Sequence, residues 1–251
     1  MSILDCESLS STLKSLSNIY GVEIDLIVNF LNETDLDYEL EHFQVIESCD
    51  RYIQEKFEKV FGGAKVKISK VAWFHLTRTP AISNFSEGIL PLNMALDRVW
   101  ETVISIVDSS IEKERLNNMR LNGVSDFQYG FKTGDSLHWG PFAMLVRKVA
   151  FNASKVGNHD YLEVPEIIED ICNGYEHKYN ESIYNKVVSG LKKCIVKFHS
   201  ENKTGNHLLG VALLYSWVEI KNEEFFSFAN TCFDGKGSLI KPESIVAVEF
   251  L

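Results

Sequence analysis

Chemistry concentrates first in the stretch Trp73, Phe74, His75, Leu76, Thr77, Arg78 and Thr79. It continues in the turn Phe85, Ser86, Glu87, Gly88, Ile89, Leu90 and Pro91. An imidazole, hydroxyls and a guanidinium close an apolar run, and a glycine then lets the chain return closely. Polar groups at a strand end beside a glycine are a common way to build a ligand cleft. The planar fork of Arg78 suits a phosphate. The same residues also have a plain structural use, with His75 as a core histidine and Arg78 pairing a surface acid. His138, Trp139, Gly140, Pro141 and Phe142 make a second distinctive stretch, either a rigid aromatic wall for a cleft or a cap on the core.

The common catalytic signatures are absent: no phosphate-loop pattern G-x-x-x-x-G-K-[ST], no G-x-G-x-x-G, no G-x-S-x-G, no H-E-x-x-H. The seven histidines are scattered, with no H-x-H, and no metal site is expected from their spacing. A weaker alternative is a metal-dependent nuclease or hydrolase that uses His75 with His138 or His159.

The elements that must position these groups read as follows. Leu9, Leu13, Leu16 and Ile19 recur at helical spacing, and a second helix is expected over 24–31. Leu36, Leu40, Phe43, Cys49, Ile53, Phe57 and Val60 stripe a longer third helix, which Gly62 and Gly63 end. Val66, Ile68, Val71 and Trp73 open a strand that runs to Leu76. A long helix with Asn93 as N-cap is expected to end near Asn122 and Gly123, with a glycine- and aromatic-rich loop holding short strand pieces over 125–140 and a strand over 142–151. Pro165 suits the first turn of a helix ending near Gly174, and another helix is expected over 181–192. Strands over 194–199, 208–220 and 245–251 close the chain. This order predicts an α+β fold with a mixed or antiparallel sheet. The division expected is an acidic helical unit over 1–63 and an α+β domain over 64–251.

Bulk properties narrow the class. The net charge of −10 lies in the first fifty residues, which hold eleven acids and one base, Lys14; the other 201 residues hold 24 of each. That acidic segment argues against nucleic acid for itself, whereas the neutral body leaves the question open. No apolar run reaches the roughly 18 residues that span a bilayer, so no membrane partner is expected. With a start unlike a signal peptide and five dispersed cysteines, the expected location is cytoplasmic.

The strand ending in His75, Leu76 and Thr77, followed by the Phe85–Pro91 turn, resembles the opening of the ADP-ribosyltransferase-like superfamily. That family often starts its catalytic core with a strand closing on His-x-Thr, then a turn of the type I-x-x-x-G-[IL]-x-P and a helix. It also tends to close on a segment like I-x-P-E-x-I-x-x-V-E. Here Leu239, Ile240, Lys241, Pro242, Glu243, Ser244, Ile245, Val246, Ala247, Val248, Glu249 and Phe250 are similar. DarT-type toxins and RNA 2′-phosphotransferases show both features. The two matches cover about thirty residues.

The resemblance implies NAD as co-substrate and cleavage of the nicotinamide–ribose bond. By position His75, Thr77 and Arg78 would hold the dinucleotide, and Tyr129 would hold or stack on its nicotinamide end. A late glutamate would stabilise the positive charge that develops on the ribose. Glu219, closing the expected strand over 208–220, fits best; Glu223, Glu224, Glu163 and Glu166 are its rivals. The function implied is a mono-ADP-ribosyltransferase, a toxin or phage-defence effector modifying a protein or nucleic acid, with an antitoxin or regulatory protein as partner. The alternative is a non-enzymatic interaction protein that binds a basic partner through its acidic helices.

Overall fold

The fold is α+β, seen in a computed structural model that describes residues 2–42, 48–81 and 83–251. Phe43, counted above in the third helical stripe, lies outside the described residues. The helices are α1 (Leu9–Tyr20), α2 (Ile24–Glu33), α3 (Leu36–His42), α4 (Cys49–Phe61), α5 (Leu92–Ile106), α6 (Ser110–Asn122), α7 (Phe127–Gly134), α8 (Glu166–Tyr179), α9 (Tyr184–Ser189) and α10 (His207–Lys221). The strands are β1 (Ile3–Leu4), β2 (Lys70–Thr79), β3 (Phe142–Met144), β4 (Lys192–Ser200), β5 (Cys232–Asp234) and β6 (Ile245–Phe250). They form one sheet in the order β5-β3-β2-β4-β6, with β1 beside β2. β1 runs parallel to β2 and β3 antiparallel to it, so the sheet is mixed.

The chain divides into two compact units, each drawn from three segments. The first holds residues 1–74, 143–158 and 197–233; the second holds 75–142, 159–196 and 234–251. The boundary read at 63/64 thus falls inside the first unit.

In the first unit α10 is enclosed on every side. Each residue from Leu208 to Val218 is buried, and α1, α2 and α4 pack around it. Gly210 permits the approach of α4: a Cβ there would lie 2.5 Å from the Asp50 carbonyl oxygen. Trp217 Nε1 donates to the Thr34 carbonyl at 3.0 Å. The segment over 208–220 is therefore a helix, which corrects the strand expected there. In this run both alternating phases are apolar, so the period-2 signal carried no information. Fifteen residues, four of them leucine, exceed a normal strand and suit a buried helix. Part of the acidic excess is used internally, since Asp5 and Glu7 hold Lys197, and Glu39 holds Lys56.

The second unit packs α5, α6, α8 and α9 around Trp100, Val103, Leu116, Ile171, Tyr175 and Val187. The long helix expected over 93–122 is two helices. It breaks at Val107–Ser109, where the Ser109 hydroxyl accepts from the Glu112 N–H and starts α6. The N-cap of α5 is Pro91 rather than Asn93. Residues 125–140 contain α7 in place of strand pieces, capped by the Asp126 carboxylate on the Tyr129 N–H. The strand expected over 142–151 shortens to β3 and gives way to a 3-10 segment, Arg147–Phe151. The helix begun at Pro165 runs on to Tyr179, ended by Asn180 in the left-handed conformation.

Candidate functional site

β2 is a strand because Val71, Ala72, Trp73 and Phe74 are β-branched, small or aromatic and are all buried. Beyond Phe74 the strand continues into the second unit as His75–Thr79. Alternation then puts His75, Thr77 and Thr79 on one face and the buried Leu76 on the other. That polar face lines a cavity of about 300 Å³.

The turn after β2 shapes the opposite wall. Gly88 N–H donates to the Phe85 carbonyl at 2.8 Å, and Ser86 N–H to Asn84 Oδ1 at 3.0 Å. Gly88 takes φ +87°, and a Cβ there would lie 2.0 Å from the Ile240 carbonyl oxygen, so only glycine fits. Ile89 and Ile240 exchange both backbone hydrogen bonds, at 2.9 and 3.1 Å. The two segments that carry the resemblance, far apart in sequence, are thus pinned to one another. Helix α5 follows and presents Ala95, Arg98, Val99 and Thr102, at helical spacing, to the same cavity. Ile168 of α8 adds an apolar contact.

His75 is fixed in one tautomer. Its Nδ1 lies 2.7 Å from the Phe142 carbonyl oxygen, which can only accept, so Nδ1 carries the proton. Nε2 keeps its lone pair. Burial lowers the pKa of the ring, and the Phe142 carbonyl offsets this only in part. The cavity therefore holds a neutral imidazole that accepts a hydrogen bond.

Arg78 also borders the cavity, but its guanidinium is committed elsewhere. Nε donates to the Leu162 carbonyl at 2.7 Å, and Nη1 to the carbonyls of Val188 at 2.7 Å and Leu191 at 3.2 Å. Nη2 lies 3.7 Å from Glu163. This side chain, 8% exposed, ties β2 to the segment before α8 and to the end of α9 and the residues just after it. The phosphate role expected for it is taken instead by a structural one.

Tyr129 and Glu219 do not line the cavity. The Tyr129 hydroxyl accepts from Trp100 Nε1 at 3.0 Å, which anchors α7 to the second unit's core. Glu219 lies in the last turn of α10, in the first unit, and pairs with Lys148. Its placement at a strand end fails for the same reason that α10 was misread. Glu223 and Glu224 follow α10 in that unit, and Glu224 meets Lys155 at 3.3 Å. Glu163 pairs with Lys193 at 3.4 Å, besides its contact with Arg78. Glu166 sits in the first turn of α8, where an acid meets the helix dipole well, and contacts Lys132 at 3.3 Å.

The carboxylate on the lining is Glu87, which sequence reasoning passed over although it stands inside the quoted turn. It is ion-paired with Arg98, also on the lining. The Arg98 hydrogen bond holds the Glu87 carboxyl below the usual carboxylate range. Ser83, Asn84 and Thr102 were likewise unforeseen; only their neighbours in space reveal them.

The stretch from His138 to Phe142 acts as a cap. Gly235 N–H donates to the Pro141 carbonyl at 2.9 Å and Gly237 N–H to the Gly140 carbonyl at 2.7 Å, with the Trp139 ring against Gly237. His138 packs on Phe131 at 4.4 Å between centroids, and His159 Nε2 meets the Val164 carbonyl at 2.5 Å. Among the described residues no three His, Cys, Asp or Glu side chains converge as metal ligands. Among the described residues, too, no helix is long and apolar enough to cross a membrane.

The chain matches no protein-family model, no curated protein and no solved structure.

Proposed function

We propose that the His75 cavity binds NAD and that the chain is a mono-ADP-ribosyltransferase. The observation that carries this reading is that the Phe85–Pro91 turn, which lines the cavity together with a neutral His75, is hydrogen-bonded through Ile89 to Ile240 of the second resemblance segment. The Nε2 lone pair accepts from a ribose hydroxyl, and Thr77 and Thr79 offer hydroxyls on the same face. The cavity is at the small end of ligand pockets, so one nucleoside half enters and the rest of the dinucleotide lies across the mouth. Glu87 replaces Glu219 as the group that stabilises positive charge on the ribose, because it is ionised and on the lining. NAD supplies the leaving nicotinamide; the acceptor is a protein or nucleic acid.

Release of nicotinamide from NAD, followed with wild type and with Glu87→Gln, tests the transfer chemistry. Turnover by the wild type and a loss of about a hundredfold or more in the variant, the size of a single electrostatic contribution, is the expected result. Equal turnover by both would remove Glu87 from the mechanism, and no turnover with any acceptor offered would leave NAD binding without transfer.

A further inference from the structure

Among the described residues β6 is the terminal strand of the sheet, with β4 as its neighbour. Leu251 N–H donates to the Lys193 carbonyl at 3.0 Å. The end of β6 thus lies beside the start of β4, and the two run antiparallel. In such a ladder each residue turns its N–H and C=O to one side, and successive residues alternate sides. Leu251 turns toward β4, as do Glu249, Ala247 and Ile245. Val246, Val248 and Phe250 therefore present their N–H and C=O groups to the open edge. The strand is exposed there, Val246 at 50% and Phe250 at 40%, and its sequence holds neither lysine nor proline. Native sheets normally blunt such an edge or use it.

We propose that this edge pairs with β6 of a second copy of the chain, antiparallel, about a two-fold axis at Val248. The strand's own pattern selects that occupant. With the axis at Val248, residue 246 faces 250 of the other copy, 248 faces 248 and 250 faces 246. All three are the residues whose backbone groups point outward, so six hydrogen bonds form and none of those groups is left over. On one face of the joined sheet the opposed pairs are Val246–Phe250, Val248–Val248 and Phe250–Val246, an unbroken apolar ladder. On the other face Glu249 lies opposite Ala247, and Ile245 opposite Leu251. No like charges lie directly opposite, and the two Glu249 side chains are diagonal neighbours across the axis.

Sedimentation velocity across the micromolar range tests the pairing on the wild type, Val248→Pro and the double variant Val246→Lys, Phe250→Lys. Proline at 248 removes an outward N–H that β4 does not use. Lysines at 246 and 250 repel across the axis. A wild-type dimer and two monomeric variants, each with its thermal transition retained, is the expected result. In the dimer the amides of Val246, Val248 and Phe250 exchange more slowly as concentration rises. A wild type that stays monomeric, whether the edge serves another chain or none, overturns the proposal. So does a dimer that survives in a folded variant.

Discussion

His75 Nδ1 lies 2.7 Å from the carbonyl oxygen of Phe142, and this one contact sets the chemistry of the cavity. It spends the proton on the protein and leaves Nε2 as an acceptor. Because burial lowers the folded-state pKa below the ordinary 6.5, the unfolded chain takes up this proton first as pH falls. His75 thus weakens the fold as pH drops below 6.5, until the folded-state pKa is reached. His199, also lowered by burial, acts in the same direction. Urea unfolding from pH 7.5 to 5 is expected to show falling stability, with a shallower slope in His75→Asn. Equal slopes would mean that His75 is not the buried neutral imidazole described.

Arg78 is a tie between segments. Arg78→Ala leaves three carbonyls without their donor and is expected to cost about 2–4 kcal/mol in denaturant unfolding. Arg78→Lys should recover little of this, since one ammonium cannot copy the fork. Wild-type stability in Arg78→Ala, with only ligand affinity lost, would restore the phosphate-binding role.

Gly88→Ala places a methyl group against the Ile240 carbonyl at a left-handed backbone position. A loss of about 1–3 kcal/mol is expected, together with weaker ligand binding, because the Ile89–Ile240 bridge shapes the cavity. Thermal unfolding and calorimetry on the same variant would show both; a variant with both properties intact would contradict the tight turn.

Tyr129→Phe separates two roles. If the hydroxyl only satisfies Trp100, the variant loses about 1–3 kcal/mol, the cost of an unsatisfied buried donor, and keeps full NAD affinity. A variant of normal stability that no longer binds NAD would return Tyr129 to the site.

The edges of the site were legible where local chemistry is unambiguous. The β-branched and aromatic run before His75 had to be a strand, and Gly88 had to be a turn. α1 was legible through the helical spacing of Leu9, Leu13, Leu16 and Ile19. The misreading of α10 has the opposite cause: a segment buried on every side carries no amphipathic period, and burial on all sides is decided by neighbours distant in sequence. Arg78 shows a further limit, because its type fits a phosphate and a trio of carbonyls equally well. Only the placement of Leu162, Val188 and Leu191 chooses between them. Glu87 was hidden for the converse reason, since a charged residue in an exposed turn looks ordinary until Arg98 and His75 share its cavity.

The most direct measurement is calorimetric titration of NAD into the wild type and into His75→Ala, with thermal unfolding to show that both are folded. The account predicts saturable binding to the wild type and a loss of at least tenfold in affinity in the variant, about 1.4 kcal/mol. A folded wild type that takes up no NAD, or a variant that binds it equally well, would contradict the assignment of this cavity.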